Sequence, residues 1–284
     1  MDAGVDRLRS QVGAALFAKV AGPDGPAVRQ RIHFGTGERW FEPGRPIRRV
    51  HADASMFVGG LRALLLQSMH PLAMAAVAAH SGYKGDPWGR LQRTSEFLAT
   101  TTFGTANDAD AMVARIRAVH ARVSGVAPDG RPYAASDPHL LRWVHIAEID
   151  SFLRAYQRYG RGSLTADERD EYVADTARVA EALGVIDPPR SERELADQIS
   201  GYRPELAGTK AAREAARFIL LQAPVPIAMR PPYALLTAAA VSLLPRWARW
   251  PLRLPYLPLT EATLVRIAGD GVVRGIRWAM PAPA

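Results

Sequence analysis

The chain has 284 residues, 48 % hydrophobic and 23 % charged, a balance that fits a folded globular protein with a sizeable core. It contains no cysteine, which excludes disulfides, thiolate-held zinc, iron–sulfur clusters, thiolate-ligated haem and covalently attached c-type haem; any metal must be held by His, Asp or Glu, and there are seven histidines. The formal charge of +8 comes from arginine, with lysine only at Lys19, Lys84 and Lys210, so it suits an anionic membrane surface or cofactor, and no nucleic-acid partner is expected.

The opening stretch MDAGVDRLRSQVGAALF carries acidic residues and no long apolar run, so neither a secretory signal nor a membrane anchor is expected and a cytoplasmic location follows by default. Residues 4–20 read as a helix and the Gly- and Pro-rich residues 21–53 as loop. The apolar segment 54–83 is interrupted at His70-Pro71, which predicts two helices or one kinked helix, with His80 at a helix end. Asp86 and Pro87 give the N-cap and first residue of the next helix. Asn107 or Asp108 opens another, closed by Gly125, and Asp137-Pro138 starts a long one that stops at Gly160. Thr165 with Glu168 three residues on forms a capping box. Further helices are predicted at 191–200, 205–222, 233–244 and 259–268.

Strand signals are scarce, so the prediction is a single all-α domain over 1–284 with about nine to eleven helices. Residues 233–245, YALLTAAAVSLLP, are too short to span a bilayer, which takes about 20 residues, and read as a buried core helix. The basic, tryptophan-containing RWARWPLRLPYLPL follows, so 233–256 is also a candidate for peripheral membrane contact.

In ADAMVARIRAVHARVSG, residues 109–125, the apolar Met112, Val113, Ile116, Val119 and Val123 recur at helical spacing, and His120 falls on their stripe. An inward imidazole needs a partner, and periodicity leaves a structural histidine and a metal ligand both open. Arg117 lies one turn before it. On the following helix His145 shares a face with Leu141, Glu148 and Phe152; His145 and Glu148 at i and i+3 suit either a satisfied buried pair or part of a non-haem iron site. His70, at the helix break, is a cap or pocket-lining candidate, while His33, His51 and His139 are expected to be solvated. Arg90, Arg93 and Thr94 at i, i+3 and i+4 share one face, a solvated basic face or an anion and oxygen-ligand site.

Together GGLRALLLQSMHPLAMAAVAAHS, DPWGRLQRT, RAVH and DPHLLRWVHIAEIDSFLRAYQRYG resemble the catalytic domain shared by the bacterial latex clearing proteins (rubber oxygenases) and the fungal oxygenase MpaB. The resemblance covers about residues 50–225, leaving 226–284 as a C-terminal helical extension, and is nearest to the short actinobacterial members. It implies a globin-like core around a non-covalent haem b, with dioxygen and an unidentified electron donor as partners. The family's proximal Arg-x-x-His falls on Arg117 to His120, making His120 the iron ligand. Its distal Arg-x-x-Lys-Thr falls on Arg90, Arg93 and Thr94, where arginine replaces the lysine that can cap the iron; guanidinium, always protonated, is a poor metal ligand but can bind a propionate or donate to oxygen. The family's distal glutamate has no match.

The resulting expectation is a haem-dependent oxygenase for a small hydrophobic, unsaturated substrate rather than a polymer. Arg93, Thr94 and His70 are its candidate catalytic residues, and His120, Arg117, Arg90, Arg93 and His145 its candidate cofactor contacts. The alternatives are a non-haem iron oxidoreductase and a non-catalytic helical haem-, lipid- or membrane-surface-binding protein.

Overall fold

A computed structural model describes residues 3–82 and 84–280. Helices dominate: α1 (Ala3–Ala21), α2 (Gly25–Phe34), α3 (Pro46–His51), α4 (Met56–Gln67), α5 (Pro71–His80), α6 (Pro87–Phe103) and α7 (Ala106–His120) precede a short hairpin, β1 (Ser124–Val126) with β2 (Pro132–Ala134). Then come α8 (Pro138–Tyr159), α9 (Ala166–Leu183), α10 (Glu192–Tyr202), α11 (Lys210–Arg217), α12 (Arg230–Ser242), α13 (Arg246–Arg249), α14 (Pro258–Thr260) and α15 (Arg266–Ala279). Wide π-type turns sit at Phe218–Gln222 and Glu261–Val265.

The predicted caps are in place. Asp86 accepts from Gly89 N–H at 2.9 Å, Asp137 from His139 N–H at 2.9 Å, and Thr165 and Glu168 close a capping box. Two stretches differ. Residues 21–53 hold α2 and α3, because their prolines fall in the first helical turn, where the missing N–H costs nothing. The His120 helix is opened by Thr105, whose hydroxyl accepts from Asp108 N–H, and it ends at His120, so that Gly125 pairs with Tyr133 in the hairpin instead of closing a helix. The single helix expected over 205–222 is a 3₁₀ turn at Arg203–Glu205, then α11, then a π turn, and the last helix runs on to Ala279.

The centre of the molecule is the crossing of α4 and α8, whose Leu65, Leu66, Trp143, Ile146 and Leu153 are fully buried. The helices approach closely at Gly59, where a Cβ would lie 2.8 Å from the Phe152 ring and 3.1 Å from its Cα. Beside this contact the buried Arg62 pairs with the buried Asp150 at 2.7 Å and donates to Ser151 Oγ (2.7 Å) and to the Leu243 carbonyl (2.9 Å) past the end of α12. Thus one guanidinium ties three helices. α12 packs Leu236, Ala239 and Ala240 into a second cluster with Val58, Tyr159 and Val273, as a core helix should. From α15, Arg277 reaches Asp53 at 2.9 Å and the Tyr159 carbonyl at 2.9 Å.

No single helix among the described residues is long and apolar enough to cross a membrane; α4 and α5 pass that test only as a pair bent by 108°, and both contribute to the core.

Gly59→Ala should destabilise the protein by about 1–3 kcal/mol in urea unfolding, the usual range for overpacking a core. Arg62→Ala should cost up to about 3–5 kcal/mol, since it breaks the buried pair and leaves Asp150 only its 3.2 Å contact with Arg154. Losses under about 0.5 kcal/mol in both would mean the α4–α8 crossing is not the keystone described.

Candidate functional site

Seven buried side-chain nitrogen or oxygen atoms among the described residues lack a hydrogen-bond partner, and three of the seven are imidazole nitrogens: His70 Nε2, His120 Nδ1 and His145 Nε2. An orphaned polar atom in a protein interior is costly, so such a concentration marks places where a ligand would complete the bonding.

His120 ends α7, and burial lowers its pKa, leaving the imidazole neutral with a lone pair to offer. Its stripe holds in part: Met112 and Val113 are buried and Ile116 half-buried, but Val119 is exposed. Arg117 is exposed, and its guanidinium donates to the Ala182 carbonyl at 3.1 Å, anchoring α7 to the end of α9.

His145 and Glu148 lie on α8. Each keeps some accessible surface. Yet desolvation pushes His145 down to about 4 and Glu148 up to about 7. Both groups are thus surrounded by protein even where a little of their surface stays accessible. They do not form the satisfied pair that their spacing allowed: His145 Nε2 has no partner, and Glu148 interacts with the Gln67 amide, which also donates to the Val144 carbonyl at 3.1 Å. His145 is therefore uncharged near neutral pH, and Glu148 keeps its proton to higher pH than a solvated glutamate does.

His70 serves as N-cap of α5, its Nδ1 accepting from Ala73 N–H at 3.5 Å, so its proton sits on Nε2. That nitrogen lies 3.4 Å from Glu205 Oε2, which is 2.8 Å from His139 Nε2. The Tyr202 hydroxyl donates to the His139 carbonyl at 2.8 Å and so presents its oxygen to Nδ1 at 3.2 Å. The ligand atoms of His70, His139 and Glu205 lie within 4.8 Å of one another and could share a cation. The 2.8 Å contact is equally that of a charge-assisted hydrogen bond, which needs none. His139 is thus exposed but engaged.

His51, expected to be solvated, is not. Its Nδ1 meets Thr102 Oγ1 at 2.8 Å, its Nε2 faces the Tyr172 hydroxyl at 3.4 Å, and burial pushes it down to about 3. The cause is α3, a helix the loop reading overlooked, which carries this residue into the core.

α6 and α7 are joined by Gly104 and Thr105 and pack against each other, so the helix that carries Arg90, Arg93 and Thr94 is a direct neighbour of the one that ends at His120. Arg90 is half-buried and donates to Ser81 Oγ at 2.9 Å. Arg93 is exposed, with only a long contact to Asp86 at 3.4 Å, and Thr94 Oγ1 donates back to the Arg90 carbonyl. Arg93 and Thr94 are thus both on the surface, and the length of α5, about 15 Å, separates His70 from Ser81 and its partner Arg90.

A profile of the family described as "ER-bound oxygenase mpaB/B'/Rubber oxygenase, catalytic domain" matches residues 48–278. The chain belongs to this family. Its mpaB/rubber oxygenase catalytic domain is an oxygenase domain, and the match includes α12 and nearly all of α15, beyond the stretch over which the motifs alone carry the likeness. No curated protein and no solved structure matches the chain significantly.

For this member of the mpaB/rubber oxygenase family, the residues that sequence reading missed are Glu205, Tyr202 and Gln67. Each acts through a contact between segments distant in the chain, and only Gln67, beside the His70-Pro71 break, stood near any signal.

Glu148 carries a pH signature. Its folded pKa is raised, so the folded apoprotein binds the extra proton between about 4.5 and 7, and stability from this group falls as pH rises through that window. Glu148→Gln should therefore gain roughly 2–4 kcal/mol on the wild type between pH 5 and pH 8 in urea unfolding. A difference independent of pH would show that Glu148 is solvated.

Proposed function

We propose that this domain is a haem-dependent oxygenase in which His120 ligates the iron of a non-covalent haem b and the substrate is a small hydrophobic, unsaturated molecule. The observation that carries the reading is the His120 imidazole, desolvated, neutral and with a buried nitrogen lacking any partner, at the end of a helix packed against the one that carries Arg90 and Arg93. The donor chemistry fits: without cysteine, a neutral imidazole is the ligand this chain can give. When bound, the haem supplies the oxygen and redox chemistry, with electrons from a donor of unknown identity.

The chain's own residues have separate tasks. Arg93 and Arg90, on the helix packed against α7, suit the anionic edge of the cofactor; guanidinium stays charged there and forms bidentate pairs with carboxylates. Thr94, bonded to its own helix, positions that turn. Arg117 fixes the end of α7 through the Ala182 carbonyl, and with it the direction of the His120 ring. His145 and Glu148 are both desolvated; Glu148, its pKa raised to about 7, can accept or return a proton, while Gln67 holds its carboxyl in place. A globin-like enclosure of the cofactor and a cytoplasmic location belong to this proposal.

The non-haem alternative would need a third ligand beside His145 and Glu148. The one group of three potential ligands among the described residues is His70, His139 and Glu205, which includes neither.

Purified protein supplied with haemin should show a strong Soret band. His120→Ala should lose or shift that band while keeping its far-ultraviolet helical signal. An unchanged spectrum in the variant would transfer the ligand role to His145, and no Soret band in the wild type would refute haem binding.

A further inference from the structure

We infer that the C-terminal third carries a peripheral membrane-docking face for anionic phospholipid, formed not by α12 itself but by the segments on either side of it. The inference rests on the surface alone and does not require the haem reading. α12 turns its apolar side inward, as shown above. The exposed apolar side chains lie before and after it: Trp250, Leu259 and Ile267 are 88 %, 83 % and 70 % exposed, joined by Leu221, Ile227 and Leu264. A folded chain buries such residues where it can, and large aliphatic and indole side chains left outside along segments that are tied to one another mark an interaction surface.

The charge of the region selects the partner. From Arg217 to Ile267 there are six arginines and one acidic residue, leaving +5 of the chain's formal +8. The single acid, Glu261, is neutralised by the buried Arg249 at 2.6 Å. Arg217, Arg230, Arg246, Arg253 and Arg266 are exposed with no exposed carboxylate among them in this stretch. A second copy docking through the same face would set +5 against +5, so self-association is disfavoured where an anionic lipid surface is favoured. Arginine and tryptophan around aliphatic side chains are the composition of a helix or loop lying in the headgroup region.

The platform is built rather than frayed. Arg249 donates to the Leu244 carbonyl at 3.0 Å and the Ser242 carbonyl at 2.7 Å, as well as to Glu261, and so clamps the end of α12 to the Pro258–Val265 turn. The turn presenting Trp250 is closed by Arg253 N–H to the Trp250 carbonyl at 3.0 Å and Leu254 N–H to the Arg249 carbonyl at 2.9 Å, with Arg253 held in left-handed backbone at φ 56°. Tyr233 donates to the Ile219 carbonyl at 2.6 Å, which joins the 218–222 turn to the same platform. No helix here is long enough to span, so insertion stops at the interface, where hydrophobic molecules partition and from which the domain can draw them.

Flotation of the full chain with POPC vesicles, with and without POPG, tests this. Wild type should float with POPC/POPG and much less with POPC. The triple variant Trp250→Ser, Leu259→Ser, Ile267→Ser should stay at the bottom in both, and Arg230→Gln, Arg253→Gln, Arg266→Gln should lose the preference for POPG, roughly fivefold per arginine. Unfolding midpoints and circular dichroism check the fold. Should the serine variant not fold, quenching of wild-type tryptophan fluorescence by brominated lipid, reduced in Trp250→Phe, gives the same answer. No flotation of the wild type, equal flotation of the serine variant, or a dimer dispersed by the serine substitutions without lipid binding would overturn the inference.

Discussion

The buried ion pair between Arg62 and Asp150 is the constraint on which the rest depends. Two charges in a protein interior are tolerated only when both are fully engaged, and here the guanidinium is shared among Asp150, Ser151 and the Leu243 carbonyl. With the small Gly59 alongside, that arrangement sets both the distance and the axial register of α4 against α8. From that register follows what each end of α4 can do. Its last residue, Gln67, reaches Glu148 and the Val144 carbonyl, while its backbone carbonyl accepts from Trp143 Nε1 at 3.2 Å. The helix then breaks at His70, whose ring meets the loop carrying Glu205.

α8 thereby divides two polar regions. Residues 139 and 143 lie on one side, near His70, Tyr202 and Glu205; residues 145 and 148 are turned about 120° and 180° from 139, on another side of the helix. In the first region His139 bonds both Glu205 and Tyr202, leaving only His70 Nε2, 3.4 Å from Glu205, without a close partner, and the cluster holds the α4–α5 corner to α8. In the second, desolvation lowers the pKa of His145 and raises that of Glu148, and no charged partner offsets it. An oxygenase site profits from this difference, because a neutral imidazole and a carboxyl poised near neutrality are available for ligation and proton movement, whereas a satisfied ion pair is committed.

Much of the fold was legible because its signals are local. The caps at Asp86, Asp137 and Thr165 involve residues two or three positions apart, and His70-Pro71 breaks a helix by steric rules that need no tertiary context. The three inward histidines could be read from apolar spacing or a helix break. What escaped reading depended on distant neighbours: α3 and the burial of His51 come from packing on Thr102 and Tyr172, the hairpin from pairing across a turn, and the clasp around Glu205 from residues 66 and 135 positions apart along the chain. Arg117 illustrates the limit, for its place in a motif says nothing of the Ala182 carbonyl that occupies its side chain.

The contact between Asp53 and Arg277 has a bearing on how the protein comes to exist. Asp53 is nearly inaccessible to water, and its counter-charge lies 224 positions further along the chain. During synthesis α3 and α4 leave the ribosome long before α15 is made. Until then the carboxylate has no cation, and the apolar side of α12 has no α15 to cover it. A core whose closing contacts join segments so far apart cannot be completed half by half: α4 and α12 reach their final packing only once α15 is present.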